Sequence, residues 1–238
     1  MYLKVIGSNS KGNGYLLEGS SCSLLVEAGM PFADFNRMHK LPLSKLAGCI
    51  ITHEHGDHAK FAKQYAKKGA QIYASKGTLK ALGTKGTVLE PLKRVSIGEF
   101  TVMPFPVQHD AAEPFGFIIS HADFGNMLFV TDTMYVENTF KNLNQIMIEA
   151  NFDDETLDRC ANIEHARRVR NSHMSIQHCI DTLNKNDLTH LMNIILIHLS
   201  DENADDEDFR KRVMDVDTGS RIHVAKKGTE IELSILPF

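Results

Sequence analysis

Three imidazoles and two carboxylates fall within six residues at His53-Glu54-His55-Gly56-Asp57-His58, directly behind the apolar run Gly48 to Thr52. This stretch constrains the chain more than any other. His53 and His55 are two apart, so in an extended or turning segment both rings can converge on one cation. Gly56 lets the backbone turn, and Asp57 and His58 then face a second position close by. Neutral imidazole and carboxylate are donors that borderline divalent metals accept, Zn²⁺ first and Mn²⁺ or Fe²⁺ on the same chemistry. A His-rich surface loop that binds nothing is the alternative, and the setting behind a buried strand argues against it.

Three more metal-competent side chains occupy the same kind of setting. The runs Phe100 to Val107, Met127 to Thr131 and Asn193 to Ile197 lead into His109, Asp132 and His198 respectively. Layered α/β folds place ligands and catalytic groups where a rigid strand meets a loop. Each residue alone has a structural reading; the repetition points to one centre.

Composition narrows the class. A chain of 238 residues with 42% hydrophobic and 24% charged residues is read as one medium-sized globular domain spanning residues 1–238. No apolar stretch approaches the length of about 18 residues needed to cross a membrane. The first residues, Met1 to Gly7, read as a strand and lack the basic head and apolar core of a secretory signal. Four cysteines without a C-x-x-C spacing add to the expectation of a reduced, cytoplasmic protein. A net charge of −4 argues against a surface that wraps nucleic acid everywhere, and leaves local basic patches open.

Strands and helices alternate along the chain. Strands are expected over 2–7, 14–18, 22–27, 71–75, 87–92, 100–107, 146–150, 221–225 and 230–236. Helices are expected over 59–68, 78–82, 153–160, 175–185 and 205–215. Ser175 reads as the N-cap of the helix that carries the stripe Ile176, Cys179, Ile180, Leu183. Between the first two strands, Ser8 to Asn13 is either a plain hairpin turn or a small anion cradle whose N–H groups are supplemented by Lys11. Arg159, Arg167, Arg168 and Arg170 cluster beside His165 and His173, where they form either a charge-balanced surface helix or a phosphate-binding face.

The ordered set His53-x-His55-x-Asp57-His58, His109, Asp132, His198 resembles the metallo-β-lactamase superfamily. That resemblance implies an αββα sandwich of two mixed sheets flanked by helices, with a dinuclear metal site at one edge. It also implies that His53, His55 and His109 hold one divalent ion, that Asp57, His58 and His198 hold the other, and that Asp132 bridges them. The segments Ser8 to Asn13, Ile148 to Asn151, Arg170 to Ser175 and His198 to Asn203 are similar to the WalJ-like group, regarded as bacterial DNA exonucleases. This implies a nucleic-acid substrate, DNA first, with 5′-exonuclease action. Asp57, as ligand and orienting group for the nucleophile, and His173, by its matching position in that group, are the catalytic candidates, and Ser10, Lys11, Asn13, Asn151, Arg167, Arg168 and Arg170 are the candidate phosphate contacts. The 66 residues from Asp132 to His198 leave no room for the large insertion of β-CASP nucleases. Two departures stand out: Glu27-Ala28-Gly29 where the superfamily has Asp-x-Gly, and Phe152 where the group has His. A small-molecule hydrolase of thioesters or lactones remains the alternative reading.

Overall fold

The computed structural model describes residues 1–216 and 219–235. Two seven-stranded sheets lie face to face. The first runs in the order β14-β1-β2-β3-β4-β5-β6, built from β1 (Tyr2–Asn9), β2 (Gly12–Glu18), β3 (Ser23–Val26), β4 (Leu46–Ile50), β5 (Ile72–Ala74), β6 (Thr87–Val88) and β14 (Glu230–Glu232). The second runs β13-β12-β11-β10-β9-β8-β7, from β7 (Val95–Ile97), β8 (Phe100–Pro106), β9 (Phe115–His121), β10 (Gly125–Val130), β11 (Gln145–Glu149), β12 (Asn193–Ile197) and β13 (Arg221–Val224). Helices α1 (Phe32–Met38), α2 (Gly56–Ala59), α3 (Ala62–Lys67), α4 (Lys76–Leu82), α5 (Asp154–Asp158), α6 (Ile163–Ser172), α7 (Ile176–Lys185) and α8 (Asp206–Met214) complete the chain.

Alternation along the strands sorts side chains into layers. Leu3, Val5, Leu17, Val26, Val102, Phe117, Phe129, Met147, Ile195 and Ile197 meet between the sheets. Ile6, Leu16, Leu25, Cys49 and Ile51 face the opposite way, onto Phe35 of α1 and Tyr65 of α3. Leu128, Val130, Ile148, Ile194 and Leu196 pack on Ile176, Cys179 and Leu183 of α7 and Phe209 of α8. With helices on both outer faces, the central strands are apolar throughout, which is why they read as unbroken hydrophobic runs. The architecture is the expected αββα sandwich.

Parallel pairing sets where the chain delivers its polar ends. In β10, β11 and β12 the register Val130↔Ile148↔Leu196 brings three C-termini to one edge. Strand β4, parallel to β3 and β5, ends on the same side in the facing sheet. Glu27, Asp132 and His198 each take a left-handed backbone just past a strand, with φ of 69°, 46° and 55°. That conformation is costly for residues with a Cβ and turns the chain sharply toward the edge.

Several local expectations are corrected. The single helix over 59–68 is two pieces, because Phe61 N donates to Ala28 O and interrupts the run after Ala59. The strand over 87–92 shortens to Thr87–Val88, and α1, β7 and β9 carry no expectation from the sequence. The arginine-rich segment is helical, as α6. Ser175 caps α7, its hydroxyl accepting from His178 N at 3.2 Å. The expected strand end at residue 236 lies outside the described residues. Among the described residues, no helix is long and apolar enough to cross a membrane.

The end of β3 presses on the histidine-rich loop. Ala28 N donates to His58 O at 2.7 Å, and a Cβ on Gly29 would stand 1.7 Å from the backbone oxygen of Asp57. No side chain can relax that overlap. Gly29→Ala is therefore expected to cost more than about 3 kcal/mol, which thermal melting should read as a drop of about 10 °C, with loss of bound metal by elemental analysis.

Candidate metal centre

The seven residues that the sequence singled out share one edge of the sandwich. Asp132, His53, His58 and His198 are almost wholly buried there. Beside a cluster of Asp132, Glu149, His173 and His198, two groups of potential ligand atoms drawn from these seven form, each within 4.8 Å: His53, His55, His109 and Asp132, and Asp57, His58, Asp132 and His198. Asp132 belongs to both. Its Oδ2 stands 3.7 Å from His53 Nε2 and 3.6 Å from His109 Nε2 on one side, and 3.2 Å from His58 Nε2 on the other. Asp57 Oδ2 lies 3.2 Å from both His58 Nε2 and His198 Nε2, and His55 Nδ1 lies 3.0 Å from His109 Nε2.

Those spacings test whether cations fit. Bond lengths of about 2.0–2.2 Å to N and O in a tetrahedral site place neighbouring ligand atoms about 3.3–3.6 Å apart. The observed spread of 3.0 to 3.7 Å brackets that range. His53 Nε2 is buried and has no hydrogen-bond partner. An unpaired buried acceptor is costly unless something binds it. The donor set suits two divalent cations.

Neighbours choose which ring nitrogen faces inward. His109 Nδ1 donates to Ser172 O at 3.0 Å, so Nε2 keeps its lone pair for the centre. Thr52 Oγ1 engages His53 Nδ1 at 2.9 Å, again leaving Nε2. His198 turns Nδ1 to Glu149 Oε1 at 3.0 Å and Nε2 to Asp57. The backbone of His198 is clamped as well: its N donates to Ser8 Oγ at 3.0 Å, and its O accepts from Asn151 Nδ2 at 2.8 Å. Such outer partners fix ring orientation and ligand basicity.

The charges divide the ligands into two kinds. Burial, reinforced by neighbouring imidazoles, pushes His53 and His109 below the ordinary histidine range, toward the neutral form a metal needs. His58 and His198 go the other way. Burial opposes their charge, but Asp132 and Asp57 outweigh it, and His198 is pushed up to about 10. Burial likewise works against ionised Asp57 and Asp132, yet the facing histidines hold both below the usual carboxylate range.

The other expected site residues sort by position. A cleft of about 660 Å³ opens over the centre, lined by His55, Asp57, His109, Asp132, His173 and His198 together with Ser10, Lys11, Asn151 and Arg168. Asn13 does not reach it. Its side chain is wholly buried, with Nδ2 donating to Asp57 O and Oδ2 at 3.4 Å, so it positions the loop rather than meeting a substrate. Arg167 is exposed and not among the cleft-lining residues; Arg170 is tied to Asp158 at 2.7 Å and Asp154 at 3.4 Å. Ser8 to Asn13 is a hairpin turn closed at Asn9↔Gly12. Phe152 joins Leu157, Ala166 and Val169 in a small core that seats α5 and α6 beside the cleft.

Glu149 is the functional group that sequence reasoning missed, although it too ends an apolar strand. Its buried carboxylate takes His198 Nδ1 and, at 2.8 Å, His173 Nδ1, while Oε2 accepts from Met174 N. Glu27 does related work for the other side. Its Oε1 accepts from Thr52 N at 3.3 Å and stands 3.7 Å from His58 Nδ1, so the longer side chain still reaches the loop it supports.

Two outcomes follow from this electrostatic arrangement. The facing carboxylates favour the protonated forms of His58 and His198 in the metal-free chain, and those protons would have to leave for the rings to act as ligands. Calorimetric titration at pH 7 in buffers of different ionisation enthalpy should therefore show about two protons released on full loading, with affinity falling as pH is lowered. Glu27→Ala should weaken metal binding about 10- to 100-fold, read by competition with a chromogenic chelator.

Comparison with known proteins agrees with this geometry. The model of the β-lactamase superfamily domain matches residues 23–199. The exodeoxyribonuclease WalJ of Streptococcus pneumoniae is 31% identical over 175 residues, which are 64% of this chain and 63% of that protein. The exodeoxyribonuclease YycJ of Bacillus anthracis is 30% identical over 173 residues, 66% of this chain and 65% of that one. The match thus spans less than two thirds of the length of these curated relatives. Among solved structures, the metallo-β-lactamase fold protein YhfI of Bacillus subtilis superposes with a TM-score of 0.72 at 20% identity, covering 97% of this chain and 99% of its own. A shared domain model over most of the chain, on an αββα sandwich with the ordered ligand set at its edge, places the protein in the metallo-β-lactamase branch of the β-lactamase superfamily.

Proposed function

We propose that the protein is a metal-dependent phosphodiesterase that degrades DNA from an end, with 5′-exonuclease action the favoured polarity. The carrying observation is the pairing of two ligand groups around Asp132 with a histidine, His173, held beside them by Glu149. His53, His55 and His109 would hold one divalent cation and Asp57, His58 and His198 the other, with Asp132 available to both. Zn²⁺ is the first choice for these donors, and Mn²⁺ or Fe²⁺ suits them too. Bound there, such a pair supplies Lewis acidity toward a phosphoryl oxygen and lowers the pKa of water to about 7.

The chain's own groups account for the remaining tasks. Asp57 lies at the cleft floor with Oδ2 facing His58 and His198, where it orients the attacking water. Glu149 engages His173 Nδ1 and, after the opposing effect of burial, raises that imidazole above the ordinary histidine range. Nε2 is the nitrogen left to the cleft, so His173 is placed to protonate the departing sugar oxygen. Ser10, Lys11 and Asn151 line the cleft walls and are the contacts to the scissile phosphate. DNA rather than RNA is supported by the relatives named as exodeoxyribonucleases.

The second reading, hydrolysis of a thioester or lactone, is kept open by a cleft whose volume suits a small molecule. A 5′-labelled oligonucleotide incubated with metal-loaded protein decides between them. Shortening of the label that chelation or His58→Ala abolishes is the expected result; rapid thioester cleavage with intact DNA would transfer the assignment to the second reading. His173→Ala should lower kcat on DNA about 10²- to 10⁴-fold with KM little changed. It should cost far less on bis(p-nitrophenyl) phosphate, whose leaving group departs without a proton.

A further inference from the structure

Helix α6 forms one wall of the cleft and is fastened to the metal centre at its C-terminal end. Ser172 O takes the Nδ1 proton of His109, and His173, at the C-cap, is held by Glu149. Along the helix, His165, Arg168 and Ser172 recur at i, i+3 and i+7, the spacing of one face, and all three line the cleft. Val169 on the same side is buried in the small core around Phe152. The face bearing Arg168 is therefore set by packing.

Arg168 stands apart among the lysines and arginines that line the cleft. Arg170 is bound to Asp154 and Asp158, and Arg159 pairs with Glu155 at 3.6 Å. Lys11, which also lines the cleft, pairs with Asp201 at 2.7 Å. Glu164 precedes Arg168 by four residues, the spacing at which a helix ordinarily neutralises an arginine. Among the described residues, however, Arg168 makes no ion pair.

Its place along the helix says which phosphate it would meet. Arg168 lies four residues from Ser172, about 6 Å along the axis, and His165 about 10 Å. Neither belongs to the candidate ligand groups, and both line the cleft wall away from the end of α6 that touches the centre. We propose that Arg168 and His165 form a second phosphate subsite, which grips the phosphate flanking the scissile one. This rests on the phosphodiesterase reading and deepens it: the preferred substrate carries at least two backbone phosphates. The planar fork of the guanidinium suits such a contact, and His165 adds a ring nitrogen one turn further on.

The test uses the full-length protein and two substrates, a single-stranded thymidine oligonucleotide and bis(p-nitrophenyl) phosphate, which has no flanking phosphate. Arg168→Ala is expected to raise KM for the oligonucleotide about tenfold and to leave kcat/KM on the ester within about twofold. In EDTA, where turnover stops, fluorescence anisotropy should show weaker oligonucleotide binding, and the slope of log affinity against log salt should flatten by about 0.7 for the lost contact. His165→Ala should act in the same direction more weakly, and Arg167→Ala, outside the cleft, should match wild type throughout. Equal losses on both substrates, or an unchanged oligonucleotide KM and salt slope in Arg168→Ala, overturn the subsite while the phosphodiesterase reading stands. Wild-type protein that hydrolyses the ester yet neither binds nor cleaves the oligonucleotide overturns both.

Discussion

Burying one carboxylate among imidazoles from three separated segments is the constraint on which the rest of this edge depends. Asp132 is nearly inaccessible, and Oδ2 has His53, His58 and His109 within 3.7 Å. An isolated buried carboxylate is strongly disfavoured. Here it persists because opposite charge or cations surround it, and because His58 and His198 accept protons that an ordinary histidine would shed. In the structure the centre is an ion-pair cluster, and on the proposed reading the same atoms would serve as ligands once those protons had left. One arrangement thus serves folding and function.

Around this centre, two buried glutamates do parallel work from opposite sheets. Glu27, at the end of β3, faces His58 Nδ1, and Glu149, at the end of β11, takes His198 Nδ1. Each leaves the Nε2 of its histidine pointing at Asp57, and that of His58 faces Asp132 as well. Glu27 stands where the superfamily has aspartate. Its left-handed backbone and the contact of Gly29 with Asp57 bring the longer side chain into reach without opening the loop. Glu149 has a second partner in His173, so the group that orients a ligand also sets the charge of the proposed acid.

The surroundings of the centre are less uniform than its floor. A larger cleft of about 950 Å³ adjoins the metal cleft and shares Lys11, Ser200 and Asp201 with it. Its lysines are matched by Asp34, Asp201, Asp205, Asp206 and Glu207 along its walls, which gives it no net attraction for a phosphate chain. The α6 wall differs because one arginine there is left uncommitted. Since one fold hosts many reactions, substrate choice rests on such walls rather than on the ligands.

The strand-end histidines and aspartates were legible in the sequence because both faces of the central strands are covered. Continuous apolar runs mark such strands, and the first polar residue after each run marks the edge. The order of those residues carried the family, and with it the αββα sandwich. Glu149 ends a run in the same way, yet its role depends on two histidines 24 and 49 residues away, which no local pattern reports. Asn13 looked like a turn residue facing an anion and is instead buried under Asp57. Arg167, Arg168 and Arg170 were equivalent as letters. The packing of Val169 and the two aspartates beside Arg170 decided that Arg168 lines the cleft uncommitted, because helix rotation is set by what the helix packs on.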